Sequence, residues 1–249
     1  MNQATIKDTM VRTAEPFIGA DGRIWKRVSV QWENLCYAPG QYVMLAGVKC
    51  GADWPTPLTI QRATGDRFTV IIHPDCPLYG LKAGDAVAVW GPNGTGVAMA
   101  SGETAAIITD ARGCLPVRPY VEAFGDHLSG VYLVGGGDAS TVLRADITEK
   151  ADDPAELKDR AAVLNADKVL MALPVGLIVK WKQAVPDDLA ARTYAFIAAK
   201  IACGVGGCKS CFITSGDRSF GFPVCCKGPM LPLTAVDFAR DQDSLIHYI

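Results

Sequence analysis

The residues with the clearest chemistry are cysteines near the C-terminal end of the chain. Cys203, Cys208 and Cys211 have four and then two residues between them, and a neighbouring pair, Cys225 and Cys226, follows beyond a loop. Thiolates are soft ligands that suit iron–sulfur clusters, and this spacing is typical of a plant-type 2Fe-2S site. The pattern predicts a 2Fe-2S cluster held by the first three cysteines and one member of the pair.

A structural zinc site is the alternative, because it would also use four thiolates. Such sites usually take their ligands from two knuckles, each with two to four residues between cysteines. The adjacent Cys225 and Cys226 make no knuckle, so the spacing favours iron and sulfide. Gly204, Gly206 and Gly207 also favour them, since glycine lets a loop fold tightly around a small inorganic core.

The composition excludes several classes of protein. The 249 residues carry a net charge of -2, with charges spread along the chain, so nothing indicates nucleic acid or an anionic membrane as a partner. The N-terminal stretch has no apolar core, and no apolar run reaches the roughly 20 residues of a spanning helix, so neither a secretory signal nor a membrane span is expected. Without such segments the nine cysteines are expected in a reducing cytoplasm, where four of them at metal-like spacing are better explained as ligands than as disulfides. The other five are expected to be mostly small buried side chains: Cys36, Cys50, Cys76, Cys114 and Cys226.

Short apolar runs separated by glycine and proline occupy the first part of the chain. Such runs at short intervals are typical of a small β-barrel or sandwich. We therefore predict an all-β domain over residues 1–100. Its predicted strands include residues 24–32, 41–47, 68–73 and 86–90.

The pattern changes after about residue 103. Fully apolar strands separated by helices are typical of a doubly wound parallel sheet that is buried on both faces. We predict an α/β domain over residues 101–200, followed by a cysteine segment over residues 201–249. The predicted strands are residues 105–108, 131–134 and 168–172, and the predicted helices are residues 117–124, 148–167 and 190–202.

This order of segments resembles the iron–sulfur electron-transfer subunit of the two-subunit, NAD-linked dihydroorotate dehydrogenases, a branch of the ferredoxin-reductase superfamily. The resemblance implies FAD on the barrel, a nicotinamide site on the α/β domain and a cluster beside a separate, flavin-bearing catalytic subunit. The family's Val-Cys-x-x-Gly-Pro pattern selects Cys225 as the fourth ligand, with Cys203, Cys208 and Cys211. The stretches that carry the resemblance are residues 37–45, 84–96, 202–211 and 224–229.

The resemblance also implies where a flavin would bind. In the family's Arg-x-Tyr/Leu-Ser/Thr motif this chain has Leu58 and Thr59, but Thr56 stands where an arginine would pair with the pyrophosphate. The family's phosphate turn is replaced by residues 73–79, in which Asp75 would repel a phosphate. The implied flavin-binding residues are Leu58, Thr59, Gly91, Pro92, Gly94 and Gly96.

The nicotinamide site has a weaker counterpart. Where the family has a Gly-Gly-Gly-x-Gly turn at a helix start, this chain keeps only Gly113 and Pro116, and Asp110 opposes a phosphate. Three glycines at residues 135–137 follow a strand, but they come one strand too late. The segment between barrel and cluster is also shorter than is usual in the family. We therefore expect a shortened α/β domain retained as a scaffold rather than for NAD(P).

Three functions remain in view. The preferred hypothesis is an electron-transfer subunit of a flavin-dependent oxidoreductase complex, with a 2Fe-2S cluster and FAD, which exchanges electrons with a flavin-bearing catalytic partner. The second is the complete NADH-oxidising electron-transfer subunit of a dihydroorotate dehydrogenase. The third is a non-redox structural or regulatory subunit in which a cysteine metal site holds the tail in place.

Overall fold

A computed structural model describes residues 6–47, 54–217, 219–241 and 245 of the chain. Most of its strands belong to a seven-stranded sheet in the first part of the chain and a six-stranded sheet in the second. A two-stranded hairpin follows in the cysteine segment. Cys50 lies outside the described residues, so the expectation that it is buried stays a prediction.

The first sheet is antiparallel throughout. Its strands lie in the order β4-β3-β7-β1-β2-β6-β5, in which β4 and β5 are the two edges. Only two residues separate these edges along the chain, so the sheet must curl until they lie side by side. The Ile60 N–H donates to Gln41 O (3.1 Å) and continues the β3–β4 ladder, while the Gln61 N–H donates to Thr69 O (2.9 Å) and continues the β5–β6 ladder. The strands are β1 (Lys7–Ile18), β2 (Ile24–Gln31), β3 (Tyr42–Gly47), β4 (Thr56–Thr59), β5 (Arg62–Thr64), β6 (Arg67–Ile72) and β7 (Ala86–Asn93).

Alternation along these strands fills the barrel. Val28, Val30, Phe68, Val70 and Val87 are each fully buried in one cluster, because every second side chain of a strand points to the same face. All four strands predicted in this part of the sequence are confirmed. The long strand β1 and the short edge strands β4 and β5 were not predicted one by one.

The second sheet is parallel except for its last strand. Its order is β10-β9-β8-β11-β12-β15, and only β15 runs antiparallel to its neighbour. The three predicted apolar strands and the helix predicted at residues 117–124 are confirmed. The strands are β8 (Ala105–Thr109), β9 (Leu128–Val134), β10 (Glu149–Ala151), β11 (Lys168–Ala172) and β12 (Thr193–Phe196). The helices are α1 (Cys114–Phe124), α2 (Ser140–Leu143), α3 (Ala161–Leu164), α4 (Val175–Ala184) and α5 (Asp187–Ala191).

Two predicted helices are wrong. Residues 190–202 contain the strand β12 instead, because Thr193 and the aromatic Tyr194 and Phe196 suit a strand that pairs in parallel with β11. Residues 148–167 contain β10, a short 3-10 turn and α3. In both places the alanine content favours a helix. Pairing with a neighbouring strand, β9 for β10 and β11 for β12, outweighs this local preference, and the sequence does not reveal it.

The cysteine segment is joined to the second sheet. It contains the hairpin β13 (Phe212–Thr214) and β14 (Gly221–Pro223), the helices α6 (Val224–Lys227) and α7 (Phe238–Asp241), and the strand β15 (Met230–Pro232). Because β15 pairs with β12, the segment supplies the last strand of the α/β sheet. The predicted boundary near residue 200 therefore separates two neighbouring strands of one sheet.

No helix among the described residues has both the length and the apolar content needed to cross a membrane.

The middle of the second sheet gives a test of where stability resides. Leu170 is fully buried on β11, between β8 and β12, so Leu170→Ala should lower the free energy of unfolding by about 2–5 kcal/mol. The same change at Leu164, which is 40% exposed, should cost less than about 0.5 kcal/mol. Urea unfolding followed by circular dichroism measures both, and equal losses would contradict this assignment of the core.

Candidate functional site: the cysteine segment against the barrel

Two barrel side chains hold the cysteine segment. The indole Nε1–H of Trp90, on β7, donates to the carbonyl of Cys203 (2.9 Å), and the hydroxyl of Tyr42, on β3, donates to the carbonyl of Cys225 (3.0 Å). Tyr42 is 2% exposed, so the loss of this partner would leave a polar group unsatisfied. The first and last predicted ligands are thereby fixed against one face of the barrel.

Backbone contacts strengthen this attachment. Thr95, just after β7, donates its N–H to Gly228 O (2.7 Å) and its hydroxyl to Lys227 O (2.6 Å). Gly204 has a positive φ of 74°, and a Cβ there would lie 2.6 Å from Cγ of Met44. A larger residue would therefore be strained between the first cysteine and the barrel.

The four predicted ligands form two pairs. In one pair, the thiols of Cys203 and Cys208 interact, and the Cys208 N–H donates to Sγ of Cys203 (3.5 Å). In the other, the thiols of Cys211 and Cys225 interact, and the Cys225 N–H donates to Sγ of Cys211 (3.4 Å). A cluster of two irons held by four cysteines takes two protein sulfurs on each iron, and this pairing suits it.

Further backbone amides of the glycine-rich loop point at sulfur. The N–H of Val205 donates to Sγ of Cys203 (3.4 Å), and the N–H of Gly206 donates to Sγ of Cys225 (3.1 Å). Gly206 has a positive φ of 78°, which glycine adopts at little cost. Such bonds stabilise negative charge on thiolates and on a cluster that they bind.

Two of the thiols have a lowered pKa. The side-chain hydrogen bond with Ser210, whose hydroxyl lies 3.3 Å from Sγ of Cys208, lowers the pKa of Cys208 to about 7. A hydrogen bond from Cys225 lowers the pKa of Cys211 to about 6, and the same interaction raises the pKa of Cys225, because two adjacent thiols hold one proton between them. Thiolate is the form that binds metal, so two of the four ligands are close to their binding form near neutral pH.

The donor set can be tested for fit to a 2Fe-2S cluster. The thiols lie in pairs with backbone amides directed at sulfur, and soft thiolate donors of this kind are what such a cluster requires. Across the described part of the chain, no group of three or more Cys, His, Asp or Glu side chains is arranged to hold one metal ion. The 2Fe-2S site stays a prediction.

Cys226 stands outside both pairs. Its Sγ lies 3.7 Å from Sγ of Cys225, but its side chain is exposed, whereas Cys225 is fully buried beside Cys211. Cys225 as the fourth ligand, which the Val-Cys-x-x-Gly-Pro pattern implies, stays a prediction. The cysteines expected to be buried are divided: Cys114 is buried and Cys76 is half-buried, whereas Cys36 and Cys226 are exposed, so the expectation is wrong for these two.

Two of the residues implied for a flavin lie on the edge strand β4. Leu58 is 8% exposed and packs into the barrel core. Thr59 is half-buried and lies directly opposite Tyr42 in the ladder, so the two side chains share a face of the sheet. That face is the one against which the cysteine segment packs.

The other four implied residues lie in or just after β7, where the chain meets itself closely. A Cβ on Gly94 would lie 2.3 Å from Gly228 O, and a Cβ on Gly96 would lie 2.0 Å from Pro39 O. The glycines are therefore required by contacts within the chain, whatever else they bind. Flavin binding by these residues, with Gly91 and Pro92, stays a prediction.

The charged groups at the replaced phosphate turn are paired with one another. Asp75 accepts hydrogen bonds from Arg23 (2.8 and 2.5 Å) and from Arg112 of the α/β domain (3.3 Å), while His73 Nε2 lies 3.0 Å from Asp21. The bond from Arg23 lowers the pKa of Asp75, so this carboxylate is charged at neutral pH. Sequence reasoning missed these arginines, since they come from distant parts of the chain and carry no spacing signal. Both already have an anionic partner.

The backbone N–H groups at the start of α1 also have an acidic partner within the chain. The side chain of Asp110 accepts from the N–H of Gly113 (2.5 Å) and of Arg112 (3.1 Å). A Cβ on Gly113 would lie 2.0 Å from Ala172 O, so the turn packs tightly against the end of β11. The described residues therefore do not fit the pyrophosphate of NAD(P) at the place that the resemblance implies.

Solved structures share this architecture. The chain is similar over 98% of its length, and 94% of the other chain, to an NADH-dependent reduced ferredoxin–NADP oxidoreductase, with a TM-score of 0.71 and 14% identity. It is similar over 76% of its length, and 97% of the other, to the FAD/NAD-binding domain of nitric oxide dioxygenase from Vibrio cholerae O1 biovar El Tor (TM-score 0.52, 15% identity). A ferredoxin reductase in carbazole 1,9a-dioxygenase matches over 77% and 67% of the two chains (TM-score 0.57, 10% identity). The chain has the ferredoxin-reductase-like fold. No protein-family model and no curated protein sequence matches it.

The ferredoxin-reductase-like fold confirms the predicted fold class, an FAD-type β-barrel followed by a nucleotide-type α/β domain. Identities this low carry the fold and no residue-level function. The C-terminal 2Fe-2S segment and its ligands stay predictions. Tyr42 and Trp90, which anchor the segment, were missed as functional residues although both lie within the stretches that carry the family resemblance.

The Tyr42 anchor can be tested by removing one oxygen atom. Tyr42→Phe leaves the buried Cys225 carbonyl without its partner and should lower the free energy of unfolding by about 1–3 kcal/mol. Tyr79→Phe is the matched control, since its hydroxyl donates to Ile24 O (2.8 Å) at an exposed position and water can replace it. Urea unfolding compares the two, and an equal effect at both positions would contradict the anchoring role.

The Asp110 carboxylate predicts a pH dependence. Burial raises the pKa of Asp110 despite its backbone hydrogen bonds, so the folded state binds its proton more tightly than the unfolded state. This contribution to stability is present below the unfolded pKa of about 3.9 and is lost as pH rises through the folded pKa. Asp110→Asn should therefore gain stability relative to the wild type as pH rises across that window. Urea unfolding at a series of pH values measures this difference, and a constant difference would refute the prediction.

Proposed function

We propose that the chain is an electron-transfer subunit of a flavin-dependent oxidoreductase complex and that it carries a 2Fe-2S cluster on Cys203, Cys208, Cys211 and Cys225. The observation that carries the proposal is the arrangement of these thiols as two pairs with backbone amides directed at sulfur. The fold supports it, since the solved structures that share it include a ferredoxin–NADP oxidoreductase and a ferredoxin reductase. A reducing cytoplasm is the environment that suits such thiols.

In this proposal the chain's own residues hold the cluster, stabilise its charge, and control its exposure to a partner. A bound 2Fe-2S cluster would supply one-electron chemistry. The cysteines hold it, and the amides of Val205, Gly206 and Cys208 stabilise the negative charge that rises on reduction. Burial of Cys225 opposes that charge, while the exposed Cys208 marks the side that a partner can approach. The balance of amides and burial sets the reduction potential.

The partner in this proposal is a flavin-bearing catalytic subunit, either dihydroorotate dehydrogenase-like or of another oxidoreductase. FAD on the barrel belongs to the proposal as well, since Thr59 lies on the face of β4 and β3 that carries Tyr42, next to the cysteine segment. Its pyrophosphate would need a cation other than Arg23 or Arg112, which are paired with Asp75.

The second candidate is the complete NADH-oxidising subunit of a dihydroorotate dehydrogenase. The overall likeness to an NADH-dependent oxidoreductase favours it. The Asp110 carboxylate at the start of α1 disfavours it, because an anion already occupies the amides that would meet a pyrophosphate. A structural subunit with a cysteine metal site is the third candidate, and cofactor analysis separates all three.

The ligand set gives the first test. Replacing Cys203, Cys208, Cys211 or Cys225 singly with serine should abolish or greatly reduce iron and acid-labile sulfide in the anaerobically purified protein, because each removes one of four thiolates. Cys226→Ser and Cys36→Ser, both at exposed positions, should retain the wild-type content. Zinc in place of iron, or full loss in Cys226→Ser with retention in Cys225→Ser, would overturn the assignment.

Nucleotide binding gives the second test. The anaerobically purified chain, with any partner that co-elutes, is analysed for flavin and then mixed with NADH while the visible spectrum is followed. The proposal expects a cluster that dithionite reduces and NADH does not. Rapid bleaching by NADH supports the second candidate, and the absence of both flavin and iron supports the third.

A further inference from the structure

Charge is distributed unevenly around the predicted ligands. Residues 197–236, the stretch that contains all four of them, have four basic residues and one acidic residue, whereas the remainder of the chain has 20 basic and 25 acidic residues. This stretch is net positive on a chain whose total net charge is -2, although over the whole cysteine segment, residues 201–249, basic and acidic residues balance at four each. A potential of this sign around a redox site acts on any charged protein that approaches it.

Three lysines of residues 197–236 are exposed and lie near predicted ligands. Lys209 and Lys227 each directly follow a cysteine, and the carbonyl of Lys200 accepts a hydrogen bond from Ser210 (2.8 Å), two residues after Cys208. Within the part of the chain that the structure describes, none of the three lysines forms an ion pair. Their charge is therefore not cancelled by a carboxylate in contact with them.

The one acidic residue of this stretch is placed at the tip of the hairpin. Asp217 lies between β13 and β14 and is exposed. Its hydrogen bond from Ser215 (2.6 Å) lowers the pKa of Asp217 to about 2, so it is charged. Residues 197–236 stay net positive, because four basic residues outnumber this single carboxylate.

Large apolar side chains are exposed on the same segment. Val205 is 49% exposed, Phe212 is 48% exposed and Phe220 is 66% exposed. Phe212 directly follows Cys211, and Phe220 directly precedes β14, which pairs with the strand that begins at Phe212. Exposed aromatic residues with a charged surround have the composition of a protein docking surface.

We infer that this surface docks a flavin-bearing partner protein whose own docking surface is acidic. We call it the cysteine face; its residues are Lys200, Val205, Lys209, Phe212, Phe220 and Lys227. The inference rests on the proposed function, and it adds the chemistry by which the partner is recognised. The lysines attract and orient the partner before contact, and the aromatic side chains exclude water once contact is made.

Attraction between unlike charges of this kind has a measurable signature. It raises association rates by about 10-fold to 1,000-fold at low salt and fades as the Debye length shrinks from about 30 Å at 0.01 M to about 3 Å at 1 M. If the surface has no such role, the rate of association with an acidic protein should change little with salt. If the surface docks a basic partner, the rate with an acidic protein should instead rise as salt is added.

The test uses the full-length holoprotein, reduced with dithionite under anaerobic conditions. Stopped-flow absorbance follows its oxidation by flavodoxin, an acidic flavin-bearing protein, and by cytochrome c, a basic haem protein. The rate with flavodoxin should fall at least about tenfold between low and high ionic strength, whereas the rate with cytochrome c should rise or stay constant.

Charge-reversal variants locate the effect. The triple variant Lys200→Glu, Lys209→Glu, Lys227→Glu should lose about tenfold or more in the low-salt rate with flavodoxin and gain rate with cytochrome c. The matched control Lys150→Glu, Lys158→Glu, Lys180→Glu changes the net charge of the protein by the same amount. Its three positions lie on and around β10, at the edge of the second sheet opposite β15. The control should stay within about twofold of the wild type, apart from a general effect of net charge.

One further measurement separates the possible failures. Benzoquinone, a small uncharged oxidant, should oxidise all the proteins at one rate, which shows that the variants keep an intact centre. If the wild type reacts with flavodoxin without salt dependence, or if both triple variants behave alike, the inference is overturned while the proposed function stands. If the purified chain contains no reducible centre, the proposed function fails, and the inference fails with it.

Discussion

Two hydrogen bonds from the barrel to the cysteine segment, a buried one from Tyr42 and a partly buried one from Trp90, are the contacts on which the candidate site depends. The segment has little regular structure of its own: three-residue strands, a four-residue helix and a glycine-rich loop. Such a loop cannot fix the positions of four thiols by itself, because each glycine adds conformational freedom that must be removed. Trp90 and Tyr42 remove it at both ends, since each binds the carbonyl of a ligand residue. The barrel thus positions the four cysteines of the candidate site.

The sequence predicted most of what depends on local pattern and little of what depends on distant partners. Apolar runs predicted the strands of both sheets because burial imposes a period that is visible along the chain. The strand at Thr193–Phe196 was missed because its pairing with β11 outweighs the helical preference of the alanines around it. Cysteine spacing identified the candidate ligands, but it could not reveal that Cys225 is buried beside Cys211 while Cys226 faces solvent. The Asp75 pairs with Arg23 and Arg112 were invisible for the same reason, as three segments of the chain meet there.

Where the resemblance expects phosphate groups, the chain carries carboxylates of its own. Asp110 takes the amides at the start of α1, and Asp75 takes two arginines, one from each domain. Each carboxylate satisfies donors that would otherwise be left without an anion at the positions where the resemblance implies a phosphate. The ion pair between Asp75 and Arg112 also joins the barrel to the α/β domain directly.

The position of β15 limits how the cysteine segment could have been added to this protein in evolution. A module that folds independently could be inserted into a reductase, or deleted from it, without disturbing the strands of its host. Here the polypeptide leaves the α/β sheet after β12, passes through the cysteines and returns as the neighbouring strand. Excision after residue 200 would remove β15, one of the two strands that pair with β12, and expose a row of unpaired backbone groups, which invites aggregation. The cysteine segment is therefore built into the architecture as a sheet edge, and it cannot be exchanged as an independent unit.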